Sequence, residues 1–319
     1  MSSAPSARDP RITEVLRGLN SRPHALNPKW FYDAWGSHLF EEITRQPEYY
    51  LTDCELNILR MHAEAISKWM GPGVVLAELG AGNGEKATRL ISALKSPRCY
   101  VPIDISSQSL QSAVDSIRQF KPGIEVNPLC LDFGEGFLWP DGLPVGPRCL
   151  VFMGSTIGNM EPADAVLWLS GLGAHLNRTD KMLIGVDLKK DEKILNAAYN
   201  DAQHVTAAFN LNALAHLNRA LGANFNLALF HHESFYNPTY GRVQMHLVAM
   251  ADDIIRMGGQ ELSILANESI HTENSYKYDI KDFQTLTEAA GFRVDAVWVD
   301  SRHWFGLFGL VTSGDSRDD

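Results

Sequence analysis

The sequence predicts an α/β protein built on a doubly wound, mostly parallel sheet into which a second segment is inserted. Two observations carry this. Between residues 74 and 187 short apolar runs alternate with amphipathic stretches, the pattern of strands buried on both faces by helices. After Asp187 the alternation stops, and it resumes only near residue 279.

Taken in order, VVLAEL (74–79) reads as the first strand, followed by Gly80-Ala-Gly-Asn-Gly and the helix EKATRLISALK. CYVPID (99–104) is the second strand and precedes the helix SSQSLQSAVDSIRQF, which Ser106 or Ser107 can cap. IEVNPLCLD (124–132), CLVFMG (149–154) and KMLIGVD (181–187) are three further strands. Residues 189–221 read as a long helical region, with β-like segments at RVQMHLVAM (242–250) and QELSILA (260–266). The helix DIKDFQTLTEAAG and the strands FRVDAVWV and FGLFGLV close the sheet. Residues 188–278 are thus an insertion, with which the aromatic-rich first 60 residues are expected to associate. The polar ends, 1–9 and 313–319, are expected to fray.

At 319 residues there is room for a core domain carrying a second one. The formal net charge of −10 argues against a nucleic-acid or anionic-membrane partner. No apolar stretch approaches the roughly 20 residues of a membrane span, and the N-terminus lacks a secretory apolar region, so a cytoplasmic protein is expected. Cys54, Cys99, Cys130 and Cys149 show no CxxC or metal spacing. The last three fall in apparent strands and read as small buried hydrophobes. His231-His232-Glu233 has no further ligand at useful spacing, so no metal is expected. The aromatic clusters at 30–35 and 298–305 read as packing.

The turn GAGNG (80–84) lies between strand and helix, where Gly80 and Gly82 let a nucleotide approach the backbone. Glu85 occupies the place of the third glycine of GxGxxG, which disfavours a pyrophosphate but not a phosphate-free nucleoside. Asp104 closes the second strand, where a carboxylate can accept both ribose hydroxyls. Asp132 and Phe133 close the third, where an acid can take an adenine amino group and a ring can stack. Either acid alone is as commonly a cap or a solvated group. Together, on successive strand ends, they favour a nucleoside pocket, and they fit S-adenosylmethionine and a nicotinamide cofactor alike.

Five segments are more specific: KWFYDAWGSHLFEEITRQPEYYLT (29–52), ELGAGNGEKATRL (78–90), GSTIGNMEP (154–162), GVDLKKD (185–191) and AYNDAQHVTAAFNLNALAHLNR (198–219). Through them the chain resembles the histidine Nα-methyltransferases of ergothioneine biosynthesis over nearly its whole length. The resemblance implies a Rossmann-like class I methyltransferase core (61–187 plus 279–319) and an inserted amino-acid-binding domain (10–60 plus 188–278). It implies S-adenosylmethionine as cofactor, free histidine as substrate, and up to three methyl transfers to the α-amino nitrogen. A monomer is expected. Position by position, it implies that Tyr32, Phe40, Gly80, Lys86, Asp104, Asp132 and Phe133 enclose the cofactor. Tyr49, Asn159 and Tyr199 would grip the substrate carboxylate, with Gly154 near the amine, and Met245, Glu273 and Ser275 would form the side-chain pocket. The family's usual loop is Gly-Ser-Gly-Thr/Ser-Ser; Gly-Ala-Gly-Asn-Gly here is expected to alter the loop's hydrogen bonds without abolishing binding.

These residue types suit the chemistry. A protonated α-amine must lose a proton before it can attack a sulfonium methyl, and Tyr32 is the candidate first acceptor. Tyrosine and asparagine donate to a carboxylate without adding a competing charge. If the segment is extended, Glu273 and Ser275 share a face and can pair with both imidazole nitrogens, whereas an indole has only one ring N–H. Three rival readings stand beside this one: methylation of another aromatic amino acid such as tryptophan, a nicotinamide-dependent oxidoreductase, and a non-catalytic binding module.

Overall fold

The computed structural model describes residues 9–135 and 137–313. The ends expected to fray lie outside the described residues, apart from Asp9 and Ser313. Asp9 caps the helix Pro10–Asn20 by accepting from the Arg11 N–H at 2.9 Å, and the Ser313 N–H donates to the Gly291 carbonyl at 2.8 Å. The chain forms two compact units, Met1–Tyr50 with Lys190–Ser275, and Leu51–Lys189 with Tyr276–Asp319.

The second unit contains an eight-stranded sheet. Its order runs Phe292–Val299, Phe305–Thr312, Lys181–Asp187, Arg148–Phe152, Val75–Leu79, Cys99–Asp104, Glu125–Val126, with Leu129–Cys130 also on Cys99–Asp104. The strands from Lys181–Asp187 onward pair in parallel, while Phe305–Thr312 is antiparallel to both of its neighbours. Val75, Ala77, Val101, Ile103, Leu150, Phe152, Ile184 and Val186 are all buried, because helices cover the sheet on both faces. From Val75–Leu79 the chain winds outward through Cys99–Asp104 and then returns to the other side at Arg148–Phe152. This reversal is the topological switch point at which open α/β sheets take ligands, beyond the carboxyl ends of the two strands. Gly80 and Gly154 lie there.

Two elements differ from their sequence reading. The strand read over 124–132 is two short pieces, because Pro128 has no N–H to give the ladder; Glu125 and Asn127 donate across before it, to Arg98 and Tyr100, and Leu131 after it, to Asp104. The strand read to residue 154 ends at Phe152, since Gly154 and Ser155 turn into left-handed conformations at φ +80° and +60°.

The first unit holds a four-stranded sheet ordered His24–Ala25, Ser269–Tyr276, Arg242–Ala249, Phe230–Asn237. It also contains the hairpin Asp253–Met257/Gln260–Ile264, turned through Gly258 and Gly259 at φ +59° and +79°. The helical region read over 189–221 is two helices, Glu192–Ala198 and Val205–Leu221. The break falls where Asp201 accepts from the N–H groups of Val205 and Thr206 at 2.7 and 2.8 Å. The strands Phe230–Asn237 and Ser269–Tyr276 are not apparent from the sequence, because HHES and HTENS lack apolar alternation, and Asp253–Met257 is a five-residue strand too short to show one.

Two packing expectations need correction. Cys54, Cys99 and Cys149 are buried free thiols, but Cys130 is an exposed one, since its strand has only two residues at the sheet edge. In the cluster 30–35, Trp30 is buried while Trp35 is 55 % exposed in the first turn of the helix Ala34–Ile43. Among the described residues no helix is long and apolar enough to cross a membrane.

Candidate active site

In the second unit the glycine turn leaves its strand through Gly80, Gly82 and Gly84, all at positive φ (+70°, +53° and +79°). The three serve different ends. A Cβ on Gly84 would lie 2.9 Å from the Ala113 Cα, so this glycine lets the turn close against the helix Ser107–Phe120. A Cβ on Gly80 would reach the Phe133 ring at 3.7 Å, and one on Gly82 would meet nothing within 4 Å. The backbone of Gly80 and Gly82 is therefore bare beside an aromatic ring and open space. Asp104 Oδ2 accepts from the Gly82 N–H at 3.0 Å, and its Oδ1 accepts from the Ser106 N–H at 2.8 Å. Each carboxylate oxygen keeps a second lone pair for a ligand hydroxyl. Phe133 is held edge-on to Phe152 with ring centres 5.6 Å apart, and its carbonyl accepts from Trp168 Nε1 at 3.0 Å. Asp132, exposed, accepts from the Gly134 N–H at 2.9 Å. A bare loop, a carboxylate and a fixed ring suit a ribose and a flat base.

Gly154 lies at the neighbouring strand end. Its N–H donates to both oxygens of Glu55, at 2.9 and 3.1 Å, and Lys86 Nζ lies 2.6 Å from Glu55 Oε2. Glu55 is fully buried in the helix Tyr50–Met61. Space for it exists because Gly185 has no side chain: a Cβ there would lie 2.1 Å from Glu55 Oε1. Ser155 Oγ accepts from the Asp187 N–H at 2.9 Å, and the short helix Thr156–Asn159 follows, ending on Asn159. The absent side chain of Gly158 lets that turn meet the Tyr276 backbone, whose carbonyl oxygen would be 2.7 Å from a Cβ.

Sequence reasoning missed Glu55. It stands on the stripe Leu51, Ile58 and Leu59, all buried, and a charge on an apolar helix face was the available signal. Glu78 was missed too. Burial pushes its carboxyl up to about 8, and the Tyr100 hydroxyl donates to it.

In the first unit the structure joins most of the residues singled out there. Tyr32 meets Phe40 at 6.1 Å between ring centres, Phe40 meets Tyr49 at 6.3 Å, and Tyr49 meets Tyr199 at 6.5 Å. Phe209 backs Tyr32 and Phe40 at 5.7 and 6.0 Å. The Tyr199 hydroxyl donates to Ser275 Oγ at 2.7 Å. Glu273 and Ser275 lie on the extended strand Ser269–Tyr276 and are both buried. Met245 is buried on the adjacent strand, its carbonyl accepting from Thr272 Oγ1 at 3.1 Å. His232 accepts from Asn210 Nδ2 at 2.8 Å on Nδ1 and donates from Nε2 to the Tyr199 carbonyl at 2.9 Å. Burial depresses the pKa of this ring, so it braces Tyr199 as a neutral imidazole. Among the described residues no group of three or more His, Cys, Asp or Glu is arranged to hold a metal.

Comparison with known proteins returned one family and close relatives. The family model described as histidine-specific methyltransferase, SAM-dependent, matches residues 11–312. The histidine N-alpha-methyltransferase of Mycolicibacterium smegmatis is 40 % identical over 311 residues, covering 96 % of each chain. That of Mycobacterium tuberculosis is 38 % identical over 300 residues, covering 92 % of each. Ergothioneine biosynthesis protein 1 of Neurospora crassa is 31 % identical over 311 residues, which span 95 % of this chain and 35 % of that longer protein.

Proposed function

Since the chain belongs to the histidine-specific, S-adenosylmethionine-dependent methyltransferase family, we propose that it transfers up to three methyl groups to the α-amino nitrogen of L-histidine, giving the histidine betaine used in ergothioneine biosynthesis. The same reading makes it a cytoplasmic monomer with no nucleic-acid or membrane partner.

The observation that carries the substrate is the pairing of chemistries on one buried strand. Glu273 offers a carboxylate and Ser275 a hydroxyl, and the hydroxyl is fixed by Tyr199. A carboxylate accepts from an imidazole N–H, and a hydroxyl donates to the ring's other nitrogen. An indole satisfies only the first, which leaves a buried polar group without its partner at a cost of about 1–3 kcal/mol. Met245 supplies the apolar wall.

S-adenosylmethionine, when bound, supplies an activated methyl, so the protein's task is binding, alignment and proton removal. Asp104 takes the ribose hydroxyls while the bare backbone of Gly80 and Gly82 lets the nucleoside approach, with Phe133 and Asp132 at the base. Lys86, Tyr32 and Phe40 complete the cofactor set. Tyr49 and Asn159 donate to the substrate carboxylate, Tyr199 lines its site while its one hydroxyl hydrogen goes to Ser275, and the Gly154 turn borders the amine. Tyr32 is the first acceptor of the amine's proton.

The experiment is a panel of free amino acids incubated with S-adenosylmethionine, each product read by mass. Histidine gaining one, two and three methyl increments is expected. Methylated tryptophan without histidine product would reverse the substrate, and binding of cofactor with no turnover of any amino acid would point to a non-catalytic module.

A further inference from the structure

Glu55 has no role in the assignments above, yet it is a fully buried charge beside the Gly154 turn. Its carboxylate receives the Gly154 N–H on both oxygens and the Lys86 ammonium on one. Lys86 lies in the first turn of the helix Glu85–Ala93, whose N-terminus carries partial positive charge of its own. A Cβ on Gly154 would lie 3.1 Å from Lys86 Nζ, so the ammonium sits directly against the turn. Without Glu55 the Lys86 ammonium would lose the carboxylate that contacts it, and an ammonium without its contacting counter-charge disfavours a nearby sulfonium.

We infer that Glu55 is a positioning residue for this reaction: it fixes Lys86 and the Gly154 turn together, and it supplies the counter-charge that lets the site hold a sulfonium rather than only a neutral thioether. The inference rests on the cofactor being S-adenosylmethionine and is independent of which amino acid is methylated. S-Adenosylmethionine and S-adenosylhomocysteine differ at the sulfur by one methyl and one positive charge. Any contact that Lys86 or the loop makes to their shared parts cancels in the ratio of the two affinities. A charge placed or removed nearby does not cancel.

The test is calorimetric titration of both ligands into wild type, Glu55→Gln, Lys86→Met and the double variant, with thermal melts to confirm folding. Glu55→Gln should lower the preference for the sulfonium about tenfold, as expected for one lost counter-charge at a partly buried distance. The double variant, which removes both charges, should return the ratio to within about twofold of wild type. Should Glu55→Gln fail to fold, Lys86→Met is compared with the double variant; these differ only at residue 55, and the former should prefer the sulfonium more strongly. Equal losses for both ligands, or a ratio indifferent to residue 55 in either background, would overturn the inference. Wild type that binds both ligands but does not methylate histidine would fail the substrate proposal alone.

Discussion

The hydroxyl of Tyr199 donates to Oγ of Ser275 at 2.7 Å, and both side chains are buried. The bond ties a residue after the helix Glu192–Ala198 to the strand carrying Glu273. Tyr199→Phe should remove it with little loss of volume. Stability should fall by about 1 kcal/mol. The KM for histidine should rise about tenfold while affinity for S-adenosylhomocysteine is unchanged. Steady-state kinetics alongside calorimetry separate the two effects.

Glu273→Ala should weaken histidine binding by about 1–3 kcal/mol, or about tenfold to a hundredfold, and leave cofactor affinity nearly intact. A variant that loses both ligands equally would withdraw Glu273 from the side-chain pocket.

Asp104→Ala should have the opposite selectivity. It deletes the candidate ribose acceptor and also frees the N–H groups of Gly82 and Ser106, which now donate to this carboxylate. Titration with S-adenosylhomocysteine should show at least a tenfold loss of affinity, from one charge-assisted bond of about 1.5–3 kcal/mol.

Stability should fall on both sides of an intermediate pH. Burial holds Glu78 near 8, above its ordinary value of 4.5, so its contribution is full below about 4.5 and is lost as pH rises toward 8. His246 is held near 4, below its ordinary 6.5, chiefly by burial, so its contribution is full above 6.5 and is lost as pH falls toward 4. Denaturant melts of Glu78→Gln should lose the alkaline arm and keep the acid one. An unchanged alkaline arm would mean that Glu78 is already ionised in the fold.

Thiol labelling should be confined to one position. Burial raises Cys54 and Cys99 to about 11 and Cys149 to about 12, while Cys130 is exposed. The native protein should take up a single maleimide, read by intact mass, and the unfolded protein all four. Because Cys130 pairs in register with Asp104, S-adenosylhomocysteine should slow that reaction.

The sheet was legible because its strands are continuous apolar runs bounded by glycine turns, a pattern that burial on both faces imposes. What the residues concealed was polar structure. The strand Ser269–Tyr276 reads as a solvated loop until hydrogen bonds such as that from Thr272 to the Met245 carbonyl, and its parallel pairing with His24–Ala25, show why it is extended. Pro128 split an apparently continuous strand by withholding one N–H. The glycine turn, Asp104 and Phe133 could be read from position along the sheet. Tyr32, Tyr49 and Tyr199 could not, because isolated tyrosines carry no periodic signal and only matched segments set them apart. Glu55 lay beyond both kinds of reading, since its partners are 31 and 99 positions away in sequence.

The bare backbone at Gly185 binds the history of two positions together. While the Glu55 carboxylate keeps its present place, even a methyl at 185 would lie 2.1 Å from its Oε1, so the carboxylate would have to leave the Gly154 N–H. Losing the acid first and the glycine second is therefore the easier order of change, since the reverse breaks the bonds that Glu55 makes to the Gly154 turn.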